Sequence, residues 1–352
     1  MDISVVIPVY NVKDYLEKAV SSLENQRISQ MEIILVDDGS QDGTEKLVDS
    51  LTEKYSNVQS IHQKNSGAAV ARNTGIKRAK GKYLYFMDPD DWMEKDMLLN
   101  LFSAAEKNNA QLVIAGFTNE YFIKGKYFST KVQLENRTFN QEQFRLYSPT
   151  LLNNTTLAVP WNKLYLSSYV KENQLLFPSV KWDDLHFNMD VIQDIQRVVT
   201  ISDTSYHFYR TRPGSETTKV FDGKLFLNRK RQFEHVLSNY KAWELTVNQG
   251  VMERVYYYYA SRILQVVQEI SDGHNMRFRE QMAKTKEVLN DPETSVALSR
   301  SGKKSLPMRI CFLILRMKLA IPAILMGKFI SLVKNKFSGF FYSKRVKVMQ
   351  NE

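Results

Sequence analysis

Three carboxylates stand within four residues at Asp88-Pro89-Asp90-Asp91, directly after the apolar run Tyr83–Met87. So much like charge at the end of a buried run calls for an offset. A hard divalent cation is one, because Mg²⁺ and Mn²⁺ prefer oxygen ligands and Mg²⁺ completes a one- or two-carboxylate site with substrate phosphate oxygens. A solvated turn with helix-capping aspartates is the other, and the motif alone does not choose. A second pair, Asp37-Asp38, precedes Gly39-Ser40. Ser40 and Asp42 suit a helix cap, yet two carboxylates exceed what capping needs, and an acceptor-only carboxylate suits the imide N–H of a uracil ring. Arg72 lies in Asn65–Gly75, where Gly67 and small residues permit close approach of backbone and ligand at a helix start. On so apolar a helix a charge needs a partner. Arg72 is therefore either half of a structural salt bridge or a cation aimed at the crevice of the two acidic clusters. Asp183-Asp184 forms a third pair, which the dipole at a helix start would favour. There is no G-x-G-x-x-G and no Walker A motif, so dinucleotide and P-loop readings fall away.

These groups need strands to carry them. The first ~115 residues alternate strand-length apolar runs with amphipathic stretches of helix length, the pattern of a mainly parallel α/β sheet. Strands are expected over Ile3–Val9, Glu32–Val36, Val58–His62, Tyr83–Met87 and Leu112–Ala115. Helices are expected over Val12–Gln26, Thr44–Lys54, Gly67–Ala79 and Lys95–Lys107. Both acidic clusters then fall beyond the carboxyl ends of strands, where open α/β sheets bind ligands. From Phe117 the rhythm changes: a hairpin around Tyr121–Val132, a mixed α+β stretch over 161–212, and a helical stretch over 221–289. The expected division is 1–116 for the alternating α/β half, 117–220 for the mixed α+β half, 221–300 helical, and 301–352 a basic tail.

Four segments together resemble the family 2 glycosyltransferases: Ile3-Ser4-Val5-Val6-Ile7-Pro8-Val9-Tyr10-Asn11, Ile33-Ile34-Leu35-Val36-Asp37-Asp38-Gly39-Ser40, Ala71-Arg72-Asn73 and Phe86-Met87-Asp88-Pro89-Asp90-Asp91. The resemblance implies the GT-A fold, a Rossmann-like α/β domain with a mainly parallel sheet, here followed by an α+β acceptor region and a helical C-terminal part. It implies that Pro8, Tyr10, Asn11, Asp37 and Asp38 contact the nucleoside with Arg72 nearby. It further implies that Asp88 and Asp90 form the family's D-x-D element on Mn²⁺ or Mg²⁺, Asp90 the more direct ligand and Asp88 facing ribose or metal waters, with Asp91 supporting the turn. Pro160-Trp161-Asn162-Lys163-Leu164-Tyr165 resembles the family's N-K-L-Y segment. Asp183-Asp184 stands where the family has Glu-Asp, so the resemblance makes Asp184, or Asp183 one position earlier, the general base. Tyr206–Ser215 resembles a basic lid over the diphosphate, with His207, Arg210, Arg212 and Ser215 as its polar groups; without the family it reads as a basic surface loop. The implied activity is inverting transfer of a sugar from a nucleotide-diphosphate donor, UDP by resemblance, to an acceptor hydroxyl of a saccharide, polymer or lipid-linked molecule in surface-polysaccharide, teichoic-acid or glycolipid synthesis. A non-catalytic sugar-nucleotide-binding subunit and a nucleotidyltransferase are the rivals. The latter should carry a Gly-rich basic loop where Tyr10-Asn11-Val12 stands.

The net charge of +10 resides in the tail: 301–352 holds eleven Lys/Arg and one acid, while the rest is balanced at 37 of each. That tail is rich in Leu, Ile, Phe and Met, which disfavours a nucleic-acid partner. No uncharged run reaches the ~18–20 residues a membrane span needs. Over 320–337, Gly327, Lys328, Ser331, Lys334, Asn335 and Ser338 share one helical face, and Ile324, Leu325, Phe329, Leu332 and Val333 the other. That pattern leads us to expect an interfacial helix that binds a membrane surface through 308–337; packing on the enzyme or on a second copy in a homo-oligomer is the alternative. A lone cysteine, Cys311, and an N-terminus that enters a strand at once lead us to expect a cytoplasmic protein, peripheral on the inner face of the membrane.

Overall fold

The computed structural model describes residues 1–123, 125–210, 223–273, 276–302 and 305–336. β1 (Ile3–Val9) and β2 (Met31–Asp37) bury every residue, which is why they read as unbroken apolar runs. Between them α1 (Lys13–Glu24) lays Leu16, Ala19, Val20 and Leu23 inward at helical spacing. The alternation continues through α2 (Thr44–Lys54), β3 (Val58–His62), α3 (Ala68–Arg78) and β4 (Tyr83–Phe86). Next come β5 (Trp92–Met93), α4 (Met97–Asn108), β6 (Leu112–Ala115), β7 (Phe117–Ile123), β8 (Lys126–Val132) and β9 (Arg137–Asn140). After α5 (Gln141–Asn153) follow β10 (Lys163–Leu166), α6 (Ser167–Glu172), α7 (Asp183–Ile192), β11 (Arg197–Ile201) and β12 (Tyr206–Tyr209). Helices complete the described chain: α8 (Leu225–Ala242), α9 (Gln249–Asp272), α10 (Phe278–Asn290), α11 (Pro292–Arg300), α12 (Leu306–Arg316) and α13 (Ala320–Lys336).

Eight strands form the main sheet in the order β3-β2-β1-β4-β10-β6-β11-β9. The first four are mutually parallel, β10 runs antiparallel between β4 and β6, and β9 closes the far edge antiparallel to β11. A second sheet, β5-β12-β7-β8, includes the expected hairpin, whose register runs from Phe117↔Val132 to Ile123↔Lys126. Gly75 marks where α3 touches β1, since a Cβ there would lie 2.2 Å from Val6 Cγ1.

Two compact units divide the chain: Met1–Phe144 with Thr155–Arg212, and Arg145–Asn154 with Pro213–Glu352. The stretches read from sequence as 1–116 and 117–220 are thus joined by strand pairing, because β10 and β11 enter the same sheet as β1. In the second unit α9 is the central helix, burying Val255, Tyr259, Ile263, Val266 and Ile270, with Phe233 of α8 stacked on Tyr259 at 4.0 Å.

Among the described residues no helix is long and apolar enough to cross a membrane. The small residues Gly327 and Ser331 of α13 point inward, while Lys328 on the same face is exposed and Ile324 on the apolar face is buried. Gly327 and Ser331 are buried against α9, where a Cβ on Gly327 would meet Ser271 Oγ at 2.3 Å. Ser331 accepts from Gln268 at 2.9 Å and donates to Asp272, and Lys334 donates to Gln268 at 2.5 Å. Leu325, Phe329 and Leu332 are exposed instead. Small and polar residues allow a close helix crossing against the polar tips of α9, and helical periodicity alone does not tell which face has that partner. Ser338 lies outside the described residues.

Candidate active site

The chain opens at the carboxyl ends of β1 and β4 for a covalent reason. The Val6 carbonyl accepts the Met87 N–H at 3.1 Å, so even-numbered residues of β1 face β4. The next donor on that side would be the N–H that Pro8 lacks. Pairing with β4 ends at Val6↔Phe86, whereas pairing with β2 runs on to Val9↔Asp37. The chain after Met87 leaves the sheet carrying Asp88, Asp90 and Asp91.

Asp91 is the anchor of that departure. It is buried and accepts hydrogen bonds from the Tyr206 hydroxyl at 2.6 Å and the Tyr209 N–H at 2.8 Å. Burial, with the charges of Asp90 and Asp88 added, pushes its carboxyl well above the usual range. Tyr206 also accepts from the Asp88 N–H at 3.3 Å and stacks on Trp161 at 4.6 Å. Asp88 and Asp90 stay half-buried at the rim.

Arg72 joins the acidic clusters that sequence left apart. Its Nη2 lies 3.0 Å from Asp88 Oδ1, and its Nη1 lies 3.2 Å from Asp183 Oδ2 and 3.0 Å from Asp184 Oδ1. The guanidinium rests over the Phe177 ring at 5.2 Å, and the Phe177 backbone exchanges two 2.8 Å hydrogen bonds with the Asn73 side chain. Burial disfavours the arginine's charge, but Asp184, Asp88 and Asp183 outweigh it and push its pKa up. One guanidinium faces three carboxylates, so the cluster keeps an excess of negative charge. Burial raises Asp183, with Arg72 pulling it back. Asp184 is pushed up to about 7 by burial, Arg72 lowering it and the charges of Asp183 and Asp88 raising it further.

The Asn162-Lys163-Leu164-Tyr165 segment fixes the start of α7. The Tyr165 hydroxyl donates to Asn188 Oδ1 at 2.8 Å, and Asn188 Nδ2 donates to the Asp184 carbonyl at 2.8 Å. Lys163, fully buried, donates to the Thr156 and Val159 carbonyls and to Asn162 Oδ1. Burial holds its ammonium well below the usual lysine range, against the pull of Asp184. Trp182 takes a left-handed φ of 59° just before the helix, turning Asp183 and Asp184 into its first turn.

At the end of β2, Asp38 is buried and accepts from Gln63 Nε2 at 2.8 Å, the Ser66 N–H at 2.9 Å and the Gly67 N–H at 2.7 Å. Those bonds shape the loop leading into α3; Oδ2 accepts only from Gly67 among them, so it keeps acceptor capacity. Asp37 accepts from the Ser40 N–H at 3.1 Å and pairs with His62 Nδ1 at 3.0 Å. Gly39 has φ 76°, and a Cβ there would lie 3.0 Å from the Asn65 nitrogen, so the turn needs glycine. Asn11, at φ 50°, accepts from the Gln41 N–H at 2.8 Å and donates its N–H to Ser40 Oγ at 3.1 Å, while Tyr10 beside it is exposed. Pro8, Tyr10, Asn11, Asp37 and Asp38 therefore gather at the carboxyl ends of β1 and β2.

His207 is not brought to the Arg72 cluster. Its Nδ1 pairs with Glu120 at 2.8 Å, its Nε2 with Glu94 at 3.1 Å, and its ring stacks on Trp92 at 5.2 Å. A position on β12 within the small sheet, between two glutamates, explains the difference from a lid residue. Arg210 Nε donates to Asn119 Oδ1 at 2.8 Å, and its guanidinium lies over Phe208. Arg212 and Ser215 lie outside the described residues.

A family model described as Glycosyl transferase family 2 matches residues 4–173. The chain is 28% identical over 245 residues to the uncharacterized glycosyltransferase EpsJ of Bacillus subtilis, covering 69% of this chain and 71% of that one. It is 30% identical over 232 residues to glycosyltransferase GlyG of Streptococcus pneumoniae, covering 62% and 74%. Among solved structures, that of S. aureus TarS 1-349 in complex with UDP-GlcNAc superposes with a TM-score of 0.67 at 18% identity, over 93% of this chain and 91% of that one, a likeness of fold. TarS bears the name poly(ribitol-phosphate) beta-N-acetylglucosaminyltransferase. The chain spans between 31% and 74% of the length of five curated relatives.

Proposed function

The chain belongs to glycosyltransferase family 2, and from that premise we propose that it moves a sugar from a nucleotide-diphosphate donor, a UDP-sugar, to an acceptor hydroxyl with inversion at the anomeric carbon. The observation that carries this reading is the Arg72 bridge. A single guanidinium holds Asp88, at the edge where the donor's nucleotide would lie, together with the Asp183-Asp184 pair, so donor and acceptor chemistry converge on one set of side chains.

In this mechanism Asp184 is the base. Its carboxylate takes the proton of the acceptor hydroxyl as that oxygen bonds to the anomeric carbon, and the bond from that carbon to the diphosphate oxygen breaks from the opposite face. Asp183, on the same guanidinium, orients the pair. Arg72 keeps both acids in register and supplies positive charge near the departing diphosphate. Pro8, Tyr10, Asn11, Asp37 and Asp38 form the nucleoside end, with an Asp38 oxygen as acceptor for a base N–H. Arg210, Arg212 and Ser215 belong to the diphosphate side in this proposal.

A divalent cation fits the residues present. Asp88, Asp183 and Asp184 face one guanidinium, with Asp90 two residues from Asp88, so carboxylates exceed cations there. Among the described residues no group of three or more His, Cys, Asp or Glu could hold a metal, and an ion at Asp88 and Asp90 would draw its remaining ligands from substrate phosphates. Asp90 and Asp88 would hold Mn²⁺ or Mg²⁺, which when bound supplies charge to the nucleotide leaving group.

Surface-polymer synthesis is the proposed setting, supported by the name of TarS, with a saccharide, teichoic-acid or lipid-linked acceptor at the inner face of a membrane. The test is release of nucleotide from a panel of UDP-, GDP- and CDP-sugars with Mn²⁺, Mg²⁺ or EDTA. Release from one donor that EDTA and Asp90→Ala abolish supports the reading. Absence of binding to every sugar nucleotide overturns it.

A further inference from the structure

The large apolar side chains that face solvent are concentrated on α12 and α13. Leu306, Ile310, Leu313 and Met317 recur every three or four residues along the outward side of α12, and Ile321, Leu325, Phe329 and Leu332 do the same on α13. Leu313 is 61% exposed and Phe329 66%. These are not core residues awaiting a partner within the helical unit, because each helix already packs inward by its other side. Phe312 meets Tyr257 of α9 at 5.8 Å, and Gly327, Ser331 and Lys334 meet Gln268, Ser271 and Asp272 as described above. Lys318, at φ 57°, makes the turn that joins the two helices.

Charge identifies the occupant. Arg309, Lys318 and Lys328 are exposed among the apolar side chains, and no Asp or Glu occurs anywhere from 306 to 336. A protein interface would place charged residues at its rim and deplete them from its core, whereas here the cations stand among the apolar side chains. Apolar residues interleaved only with cations match the boundary between acyl chains and anionic headgroups, where such helices lie in the plane of the surface. Among the described residues neither helix is long and apolar enough to cross a membrane.

We propose that the outward face of α12 and α13 is a docking surface for an anionic lipid bilayer, with Leu313, Leu325 and Phe329 entering the acyl boundary and Arg309, Lys318 and Lys328 meeting headgroup phosphates. The proposal deepens the membrane-side placement given above, but its test needs no donor, so the two can fail separately.

The full chain is co-sedimented with vesicles of phosphatidylcholine alone and of phosphatidylcholine with phosphatidylglycerol. At least tenfold stronger partitioning onto the anionic vesicles is expected, falling as salt rises. Leu313→Asp/Leu325→Asp/Phe329→Asp should lose at least tenfold, and Lys318→Glu/Lys328→Glu should lose most of the anionic preference, with far-UV circular dichroism unchanged in both. The proposal is overturned if the triple variant partitions like the parent, or if the parent shows no preference for anionic vesicles. It is equally overturned if the parent sediments as a dimer in solution that the triple variant turns into monomers without any change in vesicle binding; the face is then a subunit interface. A parent that binds vesicles but no sugar nucleotide would refute the catalytic reading and leave the docking surface standing.

Discussion

Asp184→Asn is expected to move activity and stability in opposite directions, and the structure sets both magnitudes. The substitution keeps the shape of the side chain and removes its capacity to take a proton. On the proposed role of Asp184 as the base, its loss lowers transfer by roughly 10²–10⁴-fold. Stability responds to the same burial that tunes the base. The carboxyl is raised from its ordinary 3.8 to about 7, so ionising it costs the folded state more than the unfolded one. At about 1.4 kcal/mol per tenfold, that gap corresponds to roughly 4 kcal/mol at the upper limit. With 30% of the side chain exposed, solvent screening reduces it to about 1–2 kcal/mol. Arg72 keeps Asp88 and Asp183 as partners in the variant, so no unpaired guanidinium is created. A group raised in the folded state costs nothing below its unfolded value, and its penalty grows with pH until the folded value is passed. The variant should therefore melt about 2–6 °C above the parent at pH 8, less at pH 5, and level with it near pH 4. The parent's transfer rate should rise through an acidic limb near neutrality, not near pH 4. Differential scanning fluorimetry across pH and initial rates with the donor found by the panel test both effects. A variant that melts below the parent at pH 8, or gains equally at pH 5 and pH 8, would refute the argument that Asp184 is held in a penalised, base-like state.

Arg72→Met should have the opposite stability sign, because it leaves Asp88, Asp183 and Asp184 facing one another without a cation. A loss of about 3–5 kcal/mol at pH 8 is expected, partly recovered at pH 5 as the raised carboxyls protonate, and chemical denaturation at the two pH values measures it. Gly75→Ala places a Cβ 2.2 Å from Val6 Cγ1, so α3 must shift from β1. About 1–3 kcal/mol of destabilisation is expected in denaturant titration, with nucleotide affinity falling too because Arg72 rides on the same helix.

Much of the first sheet was legible because β1, β2, β4 and β6 are buried on both faces. Ile3–Val9, Val58–His62, Leu112–Ala115 and the helix Thr44–Lys54 stand at the bounds read from the chain, and the glycines and acids after β2 and β4 mark the strand ends. In the tail, periodicity showed two faces of α13, but only the polar tips of α9 decide that Gly327 and Ser331 turn inward. His207 shows the same limit, since nothing near it in sequence reveals that Glu94 and Glu120 would close on its ring.

What the sequence determined by itself is the inventory and its local placement: carboxylates beyond strand ends, a proline whose missing N–H parts β1 from β4, an arginine on an apolar helix that had to find a partner, and a basic, apolar tail. These follow from covalent structure and short-range periodicity. What only the tertiary structure decided is which of those groups meet. Arg72 reaches Asp183 across 111 residues because β10 inserts beside β4 and the hydrogen bonds from Tyr165 to Asn188 and from Asn188 to the Asp184 carbonyl pin the start of α7 next to it. Contacts at that separation depend on the order of strands in the sheet, which arises from burial summed over the whole chain and leaves no local mark on either partner.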